Sequence, residues 1–138
     1  MYDRERIARI IGDIERYLSD LQALNIKEVS ELEDRRNFYA ASMLLFSILN
    51  RTIDLGEELV AANNLGMPST YKEIFEFLVR DKLIAASLGA ELSKLVFYRN
   101  LLSHEYHRLS EADVIDVSRR MNIVKEFVNK AKELLGSI

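Results

Sequence analysis

The chain has 138 residues, of which 19 are basic and 22 are acidic, so its formal net charge is −3. This length suits one domain, and the slight acidity excludes an overall basic surface for nucleic acid. Five glycines and one proline are too few for the tight turns of an all-β fold, and they favour long helices. The lack of cysteine excludes disulfides, thiol nucleophiles and thiolate metal sites.

Apolar residues recur at helical spacing along almost the whole chain. The predicted helices cover residues 3–24, 30–63, 70–79, 84–105 and 110–135. Ser30, Thr70 and Ser110 each precede an acidic residue by three positions, which is the spacing of a capping box at a helix start. A loop with the single proline, Pro68, separates the second helix from the third. The pattern predicts an all-α, antiparallel (up-and-down) bundle of about five helices, in a single domain over residues 1–138.

The second predicted helix is apolar around more than one side. Its apolar positions are Phe38, Ala41, Met43, Leu45, Phe46, Ile48, Leu49, Ile53, Leu55 and Leu59. A helix of this kind is buried on two sides. We therefore expect it to lie at the centre of the bundle and also to face a partner chain.

Two features of the sequence bear on where the protein works. The chain has no apolar run of about eighteen residues, and its first nine residues are already highly charged. We therefore expect no membrane span and no secretion signal, and we expect a cytoplasmic protein.

Both histidines lie in one segment, shortly after Arg99. Cleavage of RNA without a metal needs a base, an acid and a cation near the phosphate. His104 titrates near neutrality and suits either proton transfer, whereas Arg99 stays charged and can bind phosphate oxygens. Five residues turn a helix by about 500°, so positions 99 and 104 lie about 140° apart. A twofold dimer that pairs these helices would supply two His and two Arg around one groove.

Two other interpretations of this segment stay open. His104 and His107 could bind a metal with Glu105 and Glu111, but two histidines without a well-placed third ligand are a weak signal, and we expect no metal. Alternatively, both motif residues could be structural. Arg99 would then pair with a carboxylate, and His104 would cap the end of its helix.

The segment around both histidines resembles the signature of HEPN domains and, more narrowly, of HepT-like toxins. That motif consists of Arg, four residues, His, any residue and Tyr. Arg99, His104 and Tyr106 match it, and Asn100 is the polar residue usual after the arginine. One position differs, because Gly often precedes the motif tyrosine in relatives where this chain has Glu105.

The resemblance covers most of the chain. HepT-like proteins have a long second helix with Ile-Asp near its middle, matched here by Ile53 and Asp54. They then have a proline-containing loop and a short helix, which residues 67–75 resemble. The resemblance therefore implies the HEPN helical bundle as the fold.

The same resemblance implies a function and partners. It implies a metal-independent endoribonuclease without a cofactor, acting as a homodimer whose cleft is lined by Arg99 and His104 of both chains. Arg99 would stabilise the phosphorane, His104 would be the general acid or base, and Asn100 would help to orient the phosphate or His104. The family also implies a toxin that is neutralised when a minimal nucleotidyltransferase antitoxin adenylylates Tyr106. The alternative is a non-catalytic HEPN subunit that pairs with a nucleotidyltransferase and binds its substrate.

Other residues near the motif have structural interpretations that we favour. Asp54 is three residues after Arg51, and we expect an ion pair between them rather than a contact with the catalytic face. Phe97 and Tyr98 could stack on a base, but we expect core packing. The basic pairs at positions 35–36 and 119–120 are expected to be solvated faces rather than a rim that contacts RNA or the antitoxin.

Overall fold

The structure is a computed structural model that describes residues 1–104 and 108–136. Within these ranges it contains six α-helices and a 3₁₀ turn between the first two. The α-helices are α1 (Arg4–Ala23), α2 (Arg35–Ala62), α3 (Tyr71–Arg80), α4 (Ala86–His104), α5 (Glu111–Ser118) and α6 (Met121–Leu134), and the 3₁₀ turn is Val29–Glu33. The all-α fold predicted from the helical spacing of apolar residues is confirmed.

Helix α2 lies at the centre of the bundle, as predicted. It packs along α1 and also contacts α3, α4, α5 and the 3₁₀ turn. Its buried side chains point to more than one side, and even Thr52 is fully buried because its hydroxyl donates to the Ile48 carbonyl at 2.7 Å. Gly56 permits the close approach of α3, since a Cβ there would lie 2.7 Å from Cγ2 of Ile74.

The prediction that Ser30 caps the second helix is wrong. The segment around Ser30 forms the separate 3₁₀ turn, where the Glu31 carboxylate accepts hydrogen bonds from the backbone amides of Lys27 and Glu28, each at 3.0 Å. Leu32 anchors this turn in the core. The chain then becomes extended at Asp34, whose side chain accepts from the Arg36 amide at 2.9 Å and caps α2.

The predicted last helix is two helices, α5 and α6, so that part of the prediction is also wrong. They meet at residues 119–120, where the Arg120 amide bonds the Val117 carbonyl, three residues back, instead of continuing the α-helical pattern. The Arg119 side chain donates to the Lys27 carbonyl at 3.0 Å. Because α5 packs on α2 and the 3₁₀ turn while α6 packs on α4, the chain must bend between them.

The other two predicted helix starts agree with the structure. Thr70 accepts a hydrogen bond from the Glu73 amide at 3.1 Å and begins α3, and Ser110 and Asp113 form a full capping box at α5. The loop before α3 turns through Asn64 and Gly66, which both have positive φ. This loop brings the start of α3 beside α2 and the end of α4.

Across the described ranges, no helix combines the length and the apolar character that crossing a membrane would require.

Candidate active site

Arg99 lies near the end of α4, on the side that faces α2 and α3. Its Nε donates a hydrogen bond to Oδ1 of Asn50 on α2 at 2.9 Å. Its Nη1 is 3.4 Å from Oδ1 of Asn100, a long hydrogen bond that constrains the side chain little. The guanidinium group is therefore held through its Nε, and its two terminal nitrogens keep donor capacity for a ligand.

Two aromatic rings from different helices complete the setting of Arg99. Phe46 on α2 and Tyr71 on α3 each have their ring centre 5.6 Å from the guanidinium carbon. An arginine over an aromatic face is attracted by the ring without losing its charge. Three helices thus fix the position of the guanidinium through neutral groups.

The charge of Arg99 is not neutralised by any described neighbour. Within residues 1–104 and 108–136, its contacts are the two amides and the two rings, and it has no carboxylate partner. The described part of the chain therefore does not support the alternative in which Arg99 is a structural arginine paired with a carboxylate. A fixed, half-buried guanidinium with free donors is suited to binding an anion such as phosphate.

Asn100 is exposed and lines a depression of about 400 Å³ beside Arg99. The other lining residues are Glu57, Pro68, Ser69, Thr70, Tyr71 and Ile74. The depression therefore lies between α2, the loop before α3, the start of α3 and the end of α4. Tyr71 belongs both to this depression and to the surroundings of Arg99.

The other two predicted site residues are only partly covered by the structure. His104 is the last residue of α4, and its side chain lies outside the described part. Because α4 extends to this residue, regular α-helical rotation would put positions 99 and 104 about 140° apart around the helix axis. Tyr106, with Glu105 and His107, lies outside the described residues.

Comparison with known proteins decides the family. A family model described as ribonuclease HepT-like matches residues 7–131. The chain belongs to the HepT-like family. Two relatives are similar in sequence: YutE of Bacillus subtilis, a candidate RNase, is 30% identical over 106 residues, which are 75% of this chain and 69% of YutE. The mRNA nuclease HepT of Shewanella oneidensis is 27% identical over 81 residues, which are 58% of this chain and 61% of HepT.

Solved structures of HepT-like proteins have the same fold. The structure of YutE, a cytosolic protein of unknown function from Bacillus subtilis, matches with a TM-score of 0.85 at 20% identity, over 98% of this chain and 93% of YutE. A tri-AMPylated HEPN toxin of Shewanella oneidensis, solved in complex with an MNT antitoxin, matches with a TM-score of 0.86 at 23% identity. That match covers 96% of this chain and 99% of the toxin. The HEPN helical fold predicted from the motif is confirmed.

The predicted ion pair between Asp54 and Arg51 is present in this HepT-like chain. Nη1 of Arg51 is 3.0 Å from Oδ2 of Asp54, and Nη2 is 2.8 Å from Oδ2 of Asp13 on α1. The hydrogen bond from Asp13 raises the pKa of Arg51 above its usual value, followed by a similar contribution from Asp54. Arg51 therefore joins α1 to α2, and Asp54 is bound to it rather than to the motif.

The expectation of core packing is correct for Tyr98 and wrong for Phe97. Tyr98 is half-buried against the core, and its hydroxyl donates to Oδ2 of Asp116 at 3.3 Å. Burial, with the neighbouring Asp116 carboxylate, raises the pKa of the Tyr98 phenol. Phe97 is 66% exposed, because it lies on the side of α4 that no other described element covers.

The basic pairs are mainly surface residues, as expected. Arg35 and Arg36 are exposed, and Arg35 pairs with Glu111 at 2.9 Å while its guanidinium lies 4.2 Å from the centre of the Phe38 ring. At the other pair, Arg120 contacts Asp116 on the preceding helix at 3.4 Å. These contacts join the start of α2 to α5 and cap the bend before α6.

Sequence reasoning did not single out four residues that surround the motif: Phe46, Asn50, Glu57 and Tyr71. The sequence does carry a signal for Phe46, Asn50 and Glu57, because positions 39, 43, 46, 50, 54 and 57 share one face of α2 at helical spacing. Asn50 is the first polar residue on this face after Tyr39, Met43 and Phe46. Tyr71 carried no such signal, since its approach to Arg99 depends on the path of the loop before α3.

Two other features of the described part bear on where a site could lie. A larger groove of about 650 Å³ lies between α3 and α4, and no predicted site residue lines it. Within the described ranges, no three His, Asp or Glu side chains are grouped to hold a metal ion. The side chains of His104, Glu105 and His107, which the metal interpretation requires, lie outside those ranges.

Proposed function

We propose that this HepT-like protein is an endoribonuclease that cleaves RNA without a metal ion. The observation that carries the proposal is the setting of Arg99, whose guanidinium is fixed by Asn50 and two rings but is not neutralised by a described carboxylate. An arginine in this state can bind the scissile phosphate through its terminal nitrogens. Membership of the ribonuclease HepT-like family supports the same substrate class.

The proposed reaction proceeds by attack of the 2′-hydroxyl on the adjacent phosphate. A base removes the 2′-hydroxyl proton, the oxygen forms a bond to phosphorus, and an acid protonates the 5′-oxygen as its bond to phosphorus breaks. The products are a 2′,3′-cyclic phosphate and a free 5′-hydroxyl. His104 serves one of the two proton transfers, and Arg99 stabilises the additional negative charge of the phosphorane. Asn100 helps to orient the phosphate.

We infer that the active unit is a homodimer, because each chain supplies one histidine to a reaction with two proton transfers. The exposed face of α2 offers an apolar surface for a second copy: Tyr39 is 60% exposed and Met43 is 63% exposed. This face leads through Phe46 to Asn50 and Arg99. A second chain on it would cover the apolar residues and bring two copies of the motif to one cleft.

We further propose that a minimal nucleotidyltransferase controls the nuclease as an antitoxin in the cytoplasm, by adenylylating Tyr106. The phenol oxygen would attack the α-phosphate of ATP, lose its proton and release pyrophosphate. The attached AMP would add a negative phosphodiester to the motif, two residues after His104 in the chain, and would repel the RNA backbone. The tri-AMPylated HEPN toxin in complex with an MNT antitoxin supports this arrangement by similarity.

Purified protein tests the nuclease in a buffer with a chelator. We expect wild-type protein to cut single-stranded RNA in EDTA and to leave 2′,3′-cyclic phosphate ends. His104→Ala should reduce the rate by about a hundredfold or more. Arg9→Ala, which removes an exposed arginine of α1, should cut at the wild-type rate. Cleavage that stops only when divalent ions are removed would contradict the metal-free mechanism.

The same assay separates the nuclease from the alternative of a non-catalytic binding subunit. That alternative predicts no cleavage of any RNA by the homodimer, together with tight binding to a nucleotidyltransferase. Light scattering supplies the size: a monomer of 16 kDa at micromolar concentration would contradict the shared cleft. Co-expression with a cognate minimal nucleotidyltransferase should leave Tyr106→Phe active but silence the wild-type protein. Complete silencing without modification of Tyr106 would mean that binding alone inhibits.

A further inference from the structure

The depression beside Arg99 has chemistry that the cleavage mechanism does not use. It has a volume of about 400 Å³, which lies within the range of small-molecule sites. Its walls carry the aromatic ring of Tyr71, the exposed amide of Asn100 and the carboxylate of Glu57. Ile74 and Pro68 provide apolar surface between these groups. An aromatic ring, an amide and a hydrogen-bond acceptor in one depression are the groups that proteins use to hold an unstacked base.

The ring of Tyr71 joins this depression to the phosphate site. Its centre is 5.6 Å from the guanidinium carbon of Arg99, and the same side chain lines the depression. Asn100 follows Arg99 in the chain and lines the depression as well. A nucleotide whose phosphate is bound by Arg99 would therefore have this depression within reach of its base.

Glu57 differs from the two other carboxylates near it on α2 in having no partner among the described residues. Its neighbours Asp54 and Glu58 are each paired, with Arg51 at 3.0 Å and Arg6 at 2.6 Å. Within the described part of the chain, Glu57 itself has no hydrogen bond and no ion pair. Partial burial, with the charges of Asp54 and Glu58, raises the pKa of the Glu57 carboxyl above its usual value. Because Glu57 is exposed and lines the depression, its carboxylate is available to accept hydrogen bonds from a ligand there.

We propose that the depression is a nucleobase subsite that prefers guanine next to the scissile phosphate. The carboxylate of Glu57 would accept hydrogen bonds from the two adjacent donors of the guanine Watson–Crick edge, N1–H and the N2 amino group. Adenine and cytosine present one such donor beside an acceptor, and uracil presents one donor between two carbonyls. Asn100 and Tyr71 would bind the rest of the ring. This inference rests on the proposed function, because it assumes RNA at Arg99.

Cleavage of matched oligonucleotides tests the preference. The substrates are uridine-rich single strands that carry one G, A or C at a fixed position, or U throughout. We expect wild-type protein to cut beside G about tenfold faster, as kcat/KM, than at any site in the all-U strand. Glu57→Gln should lower this preference to about threefold or less, while its cleavage of the all-U strand stays within about threefold of wild type. Glu76→Gln, an exposed carboxylate of α3 outside the depression, should keep the full preference.

Binding of the same strands with 2′-O-methyl riboses separates this inference from the nuclease itself, since these strands cannot react. Tighter binding of the G strand that Glu57→Gln abolishes would support the subsite, even if no RNA were cut. G-selective binding without cleavage of unmodified RNA would contradict the proposed nuclease function but support the guanine subsite. Cleavage and binding that are equal for all four bases, or a G preference that Glu57→Gln leaves unchanged, would overturn the subsite.

Discussion

Two half-buried arginines of this bundle, Arg51 and Arg99, have opposite surroundings. Arg51 on α2 is bound by the carboxylates of Asp13 and Asp54 at 2.8 and 3.0 Å, so its charge is balanced within the fold. Arg99 on α4 is held by the neutral Asn50 amide at 2.9 Å and by two aromatic rings. Both side chains are fixed in place, but only Arg51 is neutralised by its described neighbours.

The difference separates an arginine that stabilises the fold from one that is available to a ligand. The ion pairs of Arg51 join α1 to α2 and leave little capacity for another anion. The contacts of Arg99 orient the guanidinium and preserve its attraction for a negative group. The proposed RNA cleavage needs such a cation for the phosphorane, and an arginine with the surroundings of Arg99 is suited to that role.

The largest expected effect comes from changing the shape of the cation at position 99. Arg99→Lys keeps the charge but removes the planar pair of donors and the Nε–H that Asn50 accepts. We expect kcat/KM for RNA cleavage to fall about a hundredfold, while the melting temperature stays within about 2 °C of wild type. Steady-state kinetics and thermal unfolding measure the two quantities. Wild-type activity of the lysine variant would mean that charge alone is sufficient.

A smaller effect is expected when Arg99 is given the kind of partner that Arg51 has. Asn50→Asp is nearly isosteric and places a carboxylate 2.9 Å from Nε of Arg99. Because the new ion pair competes with RNA phosphate, KM should rise about tenfold, with little change in the melting temperature. Asn50→Ala should instead lower kcat, since it frees the guanidinium to turn. If Asn50→Asp and Asn50→Ala change KM and kcat in the same way, the absence of charge on Asn50 does not control RNA binding by Arg99.

Arg51→Ala should affect stability rather than activity. It leaves Asp54 without its cation, reduces Asp13 to its 3.5 Å contact with Arg16, and breaks the link between α1 and α2. We expect a loss of about 1–2 kcal/mol in the free energy of unfolding. Chemical denaturation measures this loss, and the cleavage rate at a temperature where the variant is folded should stay within about twofold of wild type. A large loss of RNA cleavage in fully folded Arg51→Ala would contradict the view that Arg51 is structural and only Arg99 serves the reaction.

The smallest effect concerns the pH dependence of stability at Glu57. The pKa of the Glu57 carboxyl is raised in the folded state, so ionisation of Glu57 lowers the free energy of unfolding at a pH above that pKa. This loss of stability disappears as the pH falls below 4.5, where Glu57 is protonated in both the folded and the unfolded protein. Glu57→Gln should therefore have a higher free energy of unfolding than wild type at pH 7. The expected gain is only about 0.3 kcal/mol, because solvent screens the charge of this exposed side chain. The gain should vanish near pH 4. Urea titrations at both values check the sign.

Sequence patterns predicted the fold well because helical periodicity and the caps Thr70 and Ser110 are local signals. They failed where tertiary contacts decide, as at residues 119–120, where α5 and α6 pack on different helices. The motif located Arg99 and Asn100 in the chain but not their surroundings. Asn50 lies 49 residues before Arg99, and Tyr71 reaches it only through the loop before α3. Helical spacing places Asn50 on the same face of α2 as Phe46, but nothing in a single sequence shows that Arg99 lies opposite that face.

The central claim is that Arg99, and not arginine charge in general, provides the cation for metal-free RNA cleavage. The most direct test compares Arg99→Ala with Arg51→Ala in EDTA, on one single-stranded RNA, at a temperature where both are folded. We predict that Arg99→Ala loses at least a hundredfold in kcat/KM, and that Arg51→Ala retains wild-type cleavage with 2′,3′-cyclic phosphate ends. Equal losses in the two variants, or cleavage by Arg99→Ala at the wild-type rate, would contradict the claim.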